Sequence, residues 1–197
     1  MKTLRSLLII AACICISFSC KNSGKSSETT DKNTLTKSAD STAVTDDDRG
    51  YIVKVGDMAP DFDIEYLDGK KVKLSDLRGK LVMLQFTASW CSVCRKEMPH
   101  IESQIWLKHN NNPNFALIGI DLKEDKETTA KFAADMKITY PLTLDTDGAK
   151  FALFTAPKAG VTRNIIIDKE GKIIMLTRLY EEEEFNEMVK LIDKYLL

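Results

Sequence analysis

Two cysteines spaced by two residues, in Trp90-Cys91-Ser92-Val93-Cys94, are the side chains of this 197-residue sequence with the clearest capacity for chemistry. A thiol attacks as its thiolate, and a helix N-terminus stabilises that anion through free backbone N–H groups and the helix dipole. Val93, Met98, Ile101, Ile105 and Trp106 fall close to helical spacing, which predicts a helix from Cys91 to about Asn110, ended by an asparagine cluster before Pro113. Cys91 then stands at the helix start. Cys94 comes round the first turn on the same face, within reach of a mixed disulfide formed at Cys91. The expectation is that Cys91 attacks and Cys94 resolves. Trp90 is expected to cap the site with a flat apolar surface that partly shields it and offers a docking face, a simply packed tryptophan being the alternative.

Two other uses of the pair carry less weight. A structural zinc needs four ligands, and the further candidates, His100 and His109, continue no accepted finger spacing. The expected metal complement is none, and both histidines read as polar residues on the helix surface. An inert structural disulfide would close so small a loop that it would constrain the unfolded chain little.

The remaining three of the five cysteines lie in the first twenty residues. Lys2 and Arg5 precede an apolar run at 7–16 that is short for a membrane span, the pattern of an export signal. It ends in Ser17-Phe18-Ser19-Cys20, which resembles a bacterial lipoprotein signal. On that reading residues 1–19 are removed with Cys13 and Cys15, and Cys20 becomes the lipidated first residue. An ordinary cleavable signal and an uncleaved anchor helix are the alternatives, and all three put the rest of the chain outside the cytoplasm. Cys91 and Cys94 are then the thiols left for chemistry. Residues 20–50 are rich in Ser, Thr, Asp and Lys and poor in large apolar residues, so they read as a flexible tether, with Asp46, Asp47 and Asp48 as a solvated spacer.

The folded domain is expected at 51–197; a chain of 197 residues with 44% hydrophobic content can bury one sizeable core. Segments 62–66 and 71–74 alternate apolar and polar residues across Asp68-Gly69, the signature of a tight hairpin. Leu81-Val82-Met83-Leu84-Gln85-Phe86 is almost continuously apolar, as a central parallel strand buried on both faces should be. A second buried strand at 115–120, helices at 127–136 and 149–154, a hairpin of 165–167 with 172–176, and an amphipathic helix at 181–197 complete the series. Glutamates 181–184 suit the first turn of that last helix and read as solvated. The order is hairpin, then β-α-β-α, then hairpin and helix, an α/β layered sheet. A net charge of -1 leaves no basic excess for binding nucleic acid.

Val55-Gly56-Asp57-Met58-Ala59-Pro60-Asp61-Phe62 with Leu74-Ser75-Asp76-Leu77-Arg78-Gly79-Lys80 resembles the opening shared by peroxiredoxins and TlpA/ResA-like proteins. Phe86-Thr87-Ala88-Ser89-Trp90-Cys91-Ser92-Val93-Cys94-Arg95-Lys96-Glu97-Met98-Pro99 resembles the TlpA/ResA active-site segment. The resemblance spans 51–197. It implies a thioredoxin-like fold with a mixed central sheet flanked by helices and an extra N-terminal β-hairpin. It also implies a periplasm-facing thiol:disulfide oxidoreductase without cofactor, reducing exported proteins, apocytochrome c being one candidate, and fed by a thiol-type electron donor in the membrane. Cys91 and Cys94 match the redox pair, Pro99 the proline that kinks the first helix, and Glu97 a glutamate implicated in proton handling, a surface glutamate being its alternative.

Departures from the pattern are as informative. Val93 stands where the family has proline. Gln85 occupies the position six before the first cysteine, where thioredoxin itself has a buried acid, and cannot act as a base. Counting back from Asp168 puts Thr162 at the cis-proline position opposite the cysteines; without the ring, a trans bond is expected there, with Val161 and Arg163 altering the docking surface. A peroxiredoxin-like peroxidase is the nearest rival, but its Thr and Pro positions hold Ala88 and Leu84. A copper carrier of SCO type would pair a CxxxC with a distant histidine, and none follows His109. A non-catalytic thioredoxin-fold binding module is the third alternative.

Overall fold

In the computed structural model, which describes residues 49–197, the long apolar run forms β3, Leu81–Thr87, with every residue buried. Side chains alternate across a strand: Val82, Leu84 and Phe86 enter one apolar cluster, and Leu81 and Met83 the other. Burial on both faces removes the need for polar alternation. β4 (Phe115–Leu122) pairs parallel to β3, and β6 (Arg163–Ile167) pairs antiparallel on its other side. β5 (Leu142–Asp145) extends the sheet parallel to β4, and β7 (Ile173–Arg178) antiparallel to β6. The order β5-β4-β3-β6-β7 is the mixed sheet of a thioredoxin-like fold. Ahead of it, β1 (Asp63–Glu65) and β2 (Lys71–Lys73) form the expected separate hairpin, and Gly69 in its turn adopts φ 86°, a value that favours glycine. The expected signal peptide 1–19, Cys20, and the tether up to residue 48 lie outside the described residues.

The helix after the cysteines begins as α1, Ser92–Ile101, widens into a π-helical turn at Glu102–Trp106, and closes as α2, Leu107–His109. Pro99 lies inside α1 and carries no N–H, and the Glu102 N–H is shared between the carbonyls of Met98 and Pro99. A missing donor followed by a shared one is where a helical ladder loosens. α3 (Lys126–Met136) is capped by Asp125, which accepts from the Thr128 N–H at 2.8 Å. α4 (Ala149–Ala152) is one turn, and α5 (Glu182–Leu196) closes the chain.

Three expectations are corrected. β5 was not foreseen, because four residues behind Pro141 are too short for a periodicity to register; it is held by pairing with β4, where Gly119 leaves room for Leu142. Glu184 is not simply solvated: it pairs with Arg49 at 2.6 Å and accepts from the Arg178 N–H. His109 is not a surface residue. It is 6% exposed, with Nε2 2.7 Å from Asp193 Oδ1 on α5 and its ring edge-on to Phe115. Replacing it with alanine leaves a cavity and removes one of the two partners of the Asp193 carboxylate, Lys108 remaining, so His109→Ala is expected to lower unfolding free energy by roughly 1–3 kcal/mol. Chemical denaturation reads this, and disulfide exchange by the same variant should be unchanged.

Candidate active site

β3 ends at Thr87 and passes through Ala88, Ser89 and Trp90 to Cys91, the N-cap of α1. Cys91 and Cys94 are joined as a disulfide. The Cys94 backbone N–H donates to Cys91 Sγ at 3.1 Å, a contact that would stabilise a Cys91 thiolate once the pair is reduced. The sulfurs differ in access, since Cys91 is 8% exposed and Cys94 0%. An incoming disulfide can therefore approach Cys91 and not Cys94.

Thr162, at the entrance to β6, faces both sulfurs, its hydroxyl 3.1 Å from Cys91 Sγ and 3.2 Å from Cys94 Sγ. The described residues contain no cis peptide bond. Thr162 thus brings a polar hydroxyl to a place where a proline ring could offer none. Val161 beside it is buried, and Arg163 is buried with its guanidinium over the Tyr51 ring, donating to the carbonyls of Gly160 and Arg49. Arg163 therefore anchors the start of the domain instead of lining the docking surface. Trp90 is 65% exposed. The indole presents an exposed apolar face next to Cys91 in the chain.

Glu97 sits one turn beyond Cys94 on α1 and is 1% exposed, which removes the surface alternative. Its carboxyl accepts from Asn164 Nδ2 at 2.6 Å and Gln85 Nε2 at 3.4 Å. Tyr140 donates to Gln85 Oε1 at 2.7 Å, and Asn164 Nδ2 also donates to Thr177 Oγ1. Burial pushes the Glu97 carboxyl up to about 7, against the lowering effect of the Asn164 and Gln85 bonds. Gln85, which cannot titrate, orients a neighbour that can. Pro99 lies a half-turn further on, in the helix interior, and acts on the helix rather than on the sulfurs. His100 stacks on Tyr180, so neither histidine turns toward the cysteines.

Sequence reasoning missed two carboxyls at this end of the sheet. Glu124, just after β4, accepts from the Ser89 N–H at 2.7 Å and from the Ser89 hydroxyl. Asp121, the register partner of Thr87, is fully buried. Asp121 closes a β4 run that is otherwise apolar, which was its one signal; Glu124 reaches the site only through the fold.

A five-stranded mixed sheet with a helix-capping CxxC just past the C-terminal end of its central strand defines a thioredoxin-fold enzyme of dithiol/disulfide exchange. Residues 55–175 match the model of the AhpC/TSA family. The thiol-disulfide oxidoreductase ResA of Bacillus subtilis is 30% identical over 141 residues, covering 71% of this chain and 76% of that protein. A solution structure of a candidate protein disulfide isomerase from Bacteroides thetaiotaomicron has 60% identity and a TM-score of 0.73, covering 75% of this chain and 92% of that one. A crystal structure of a candidate thiol:disulfide interchange protein DsbE from Chlorobium tepidum has 28% identity and a TM-score of 0.64, covering 74% and 99%. This chain belongs to the AhpC/TSA family.

Proposed function

We propose that this protein is an extracytoplasmic reductant of disulfides in exported proteins, tethered to a membrane through lipid on Cys20, with Cys91 attacking and Cys94 resolving. The observation that carries the assignment of roles is the asymmetry at the helix start: Cys91 is the accessible sulfur and receives the Cys94 N–H, whereas Cys94 is closed off. The leader ending in Ser17-Phe18-Ser19-Cys20 supports the location.

In the reaction, the Cys91 thiolate attacks one sulfur of a client disulfide; the client S–S bond breaks, a Cys91–client S–S bond forms, and one client thiolate leaves. The Cys94 thiolate then attacks Cys91 Sγ, forming the intramolecular disulfide and releasing the second client thiolate. Two electrons have passed to the client. A dithiol donor in the membrane restores the pair by the reverse sequence of exchanges. Thr162 contributes a hydroxyl at both sulfurs, Glu97 a buried site for a proton near neutral pH, and Trp90 an apolar surface for the client. Pro99 supports the helix geometry. A peroxidase finds less support, because Ala88 and Leu84 supply neither the hydroxyl nor the ring of that chemistry.

The test is in vivo trapping with the full-length chain. Cys94→Ala is expected to accumulate thiol-reversible adducts between Cys91 and exported proteins, in a membrane fraction from which a further Cys20→Ala change releases the protein. Adducts with cytoplasmic proteins alone, or none through Cys91, would overturn the proposal.

A further inference from the structure

Asp121 is a buried acid that the exchange reaction as written does not use. Its two carboxylate oxygens are buried and find no hydrogen-bond donor. Its strand neighbours, Thr87 in β3 and Leu144 in β5, bring no charge. The charged group that faces it is the Glu124 carboxyl, itself an acceptor twice over for Ser89. Two carboxylates cannot satisfy one another, whereas a carboxylic acid can donate to a carboxylate. Ser89 lies two residues before Cys91, and Arg95 of α1 reaches the same turn by donating to the Ser89 carbonyl at 3.3 Å. Asp125, next along the chain, is the other charge acting on Glu124.

We propose that Asp121 is a positioning residue for the redox centre: as the neutral acid it donates to Glu124, and Glu124 in turn grips Ser89 and holds the Trp90-Cys91 turn in register with α1. The role rests on Cys91 as the attacking thiol. Burial, with the hydrogen bond and charge of Glu124 acting in the same direction, pushes the Asp121 carboxyl up to about 8. Glu124 is held low, the Ser89 and Asp121 hydrogen bonds outweighing its own desolvation. Below pH 8 the pair therefore carries one proton and one charge. Above it, two anions face each other, Glu124 is driven from Asp121, and Ser89 is released. The Trp90-Cys91 turn loosens as the pH rises.

The oxidised protein tests this without substrate, because neither Cys91 nor Cys94 titrates in it. Trp90 stands exposed beside Cys91 and reports the turn by its fluorescence, while Trp106 is pinned by its Nε1 donation to Thr139 at 2.9 Å. A fluorescence transition with midpoint near pH 8 is expected in the oxidised wild type and in Glu97→Gln. Asp121→Asn, whose amide is a permanent donor, is expected to abolish it. Glu124→Gln, which removes the facing charge and can donate to Asp121, is expected to move the midpoint to lower pH and serves if the first variant folds poorly. Emission that is flat from pH 6 to 9 in the wild type, or a midpoint unmoved in both variants, overturns the proposal. A transition that appears as expected in a protein whose mixed disulfides form through Cys94 would count against the Cys91 assignment instead.

Discussion

Cys91→Ser is expected to lower the rate of disulfide reduction by on the order of 10³-fold or more, because it removes the group that forms the covalent intermediate. Cys94→Ala is expected to behave differently. Its Cys91 keeps the helix terminus and the backbone N–H at residue 94, so the first exchange with insulin or a client peptide proceeds and stops at the mixed disulfide. One client thiol should be released per protein molecule, followed by no turnover. Mass spectrometry of the adduct and a count of liberated thiols separate the two variants. A single-turnover burst from Cys91→Ser with none from Cys94→Ala would reverse the assigned roles, and equal bursts would refute the asymmetry between them. The prediction follows from access as much as from chemistry, since Cys94 at 0% exposure has no route to a client.

The second large effect is on stability. The Glu97 carboxyl titrates near 7 in the fold and near 4.5 in an unfolded chain. Between those values the native state binds more protons than the unfolded state, so unfolding free energy falls as pH rises. The contribution is complete below about pH 4.5 and is lost as pH passes 7. A displacement of this size corresponds to ~3 kcal/mol. Denaturant midpoints of the oxidised protein should therefore fall from pH 5 to pH 8, and Glu97→Gln should make the fall shallower between pH 5 and pH 7. A slope unchanged by Glu97→Gln would refute this account of Glu97. Asp121 acts in the same direction between about pH 4 and pH 8, so the slope remaining in Glu97→Gln belongs chiefly to that residue.

The parts of this molecule legible in its sequence are those where one local pattern settles the outcome. The run 81–86 could only be a buried strand, Asp68-Gly69 could only turn, and a CxxC after such a strand places the first cysteine at a helix start. The resemblance supplied a cis-proline position opposite the cysteines, and counting back from Asp168 put Thr162 there, where its hydroxyl meets both sulfurs. What stayed hidden depends on contacts far apart in the chain. Glu97 reads the same on a helix whether it faces water or Asn164, 67 residues away. His109 resembles any polar residue at a helix end until α5 brings Asp193 to it. Glu124 and Ser89 are 35 residues apart, and only the parallel pairing of β3 with β4 makes them neighbours. The π-helical turn after Pro99 was foreseen as a kink without its form, because the proline announces a missing donor but not how the carbonyls share the next one.

The hydrogen-bonded row from Tyr140 through Gln85, Glu97 and Asn164 to Thr177 ties the segment before β5 to β3, α1, β6 and β7. Each member is buried and its partners' satisfaction depends on it, so the energies of single replacements in the row will not add. Under substitution the five side chains behave as one unit rather than five. A lineage that acquires aspartate in place of Gln85, for example, places a second acid against Glu97 and can keep it only with compensating changes elsewhere in the row.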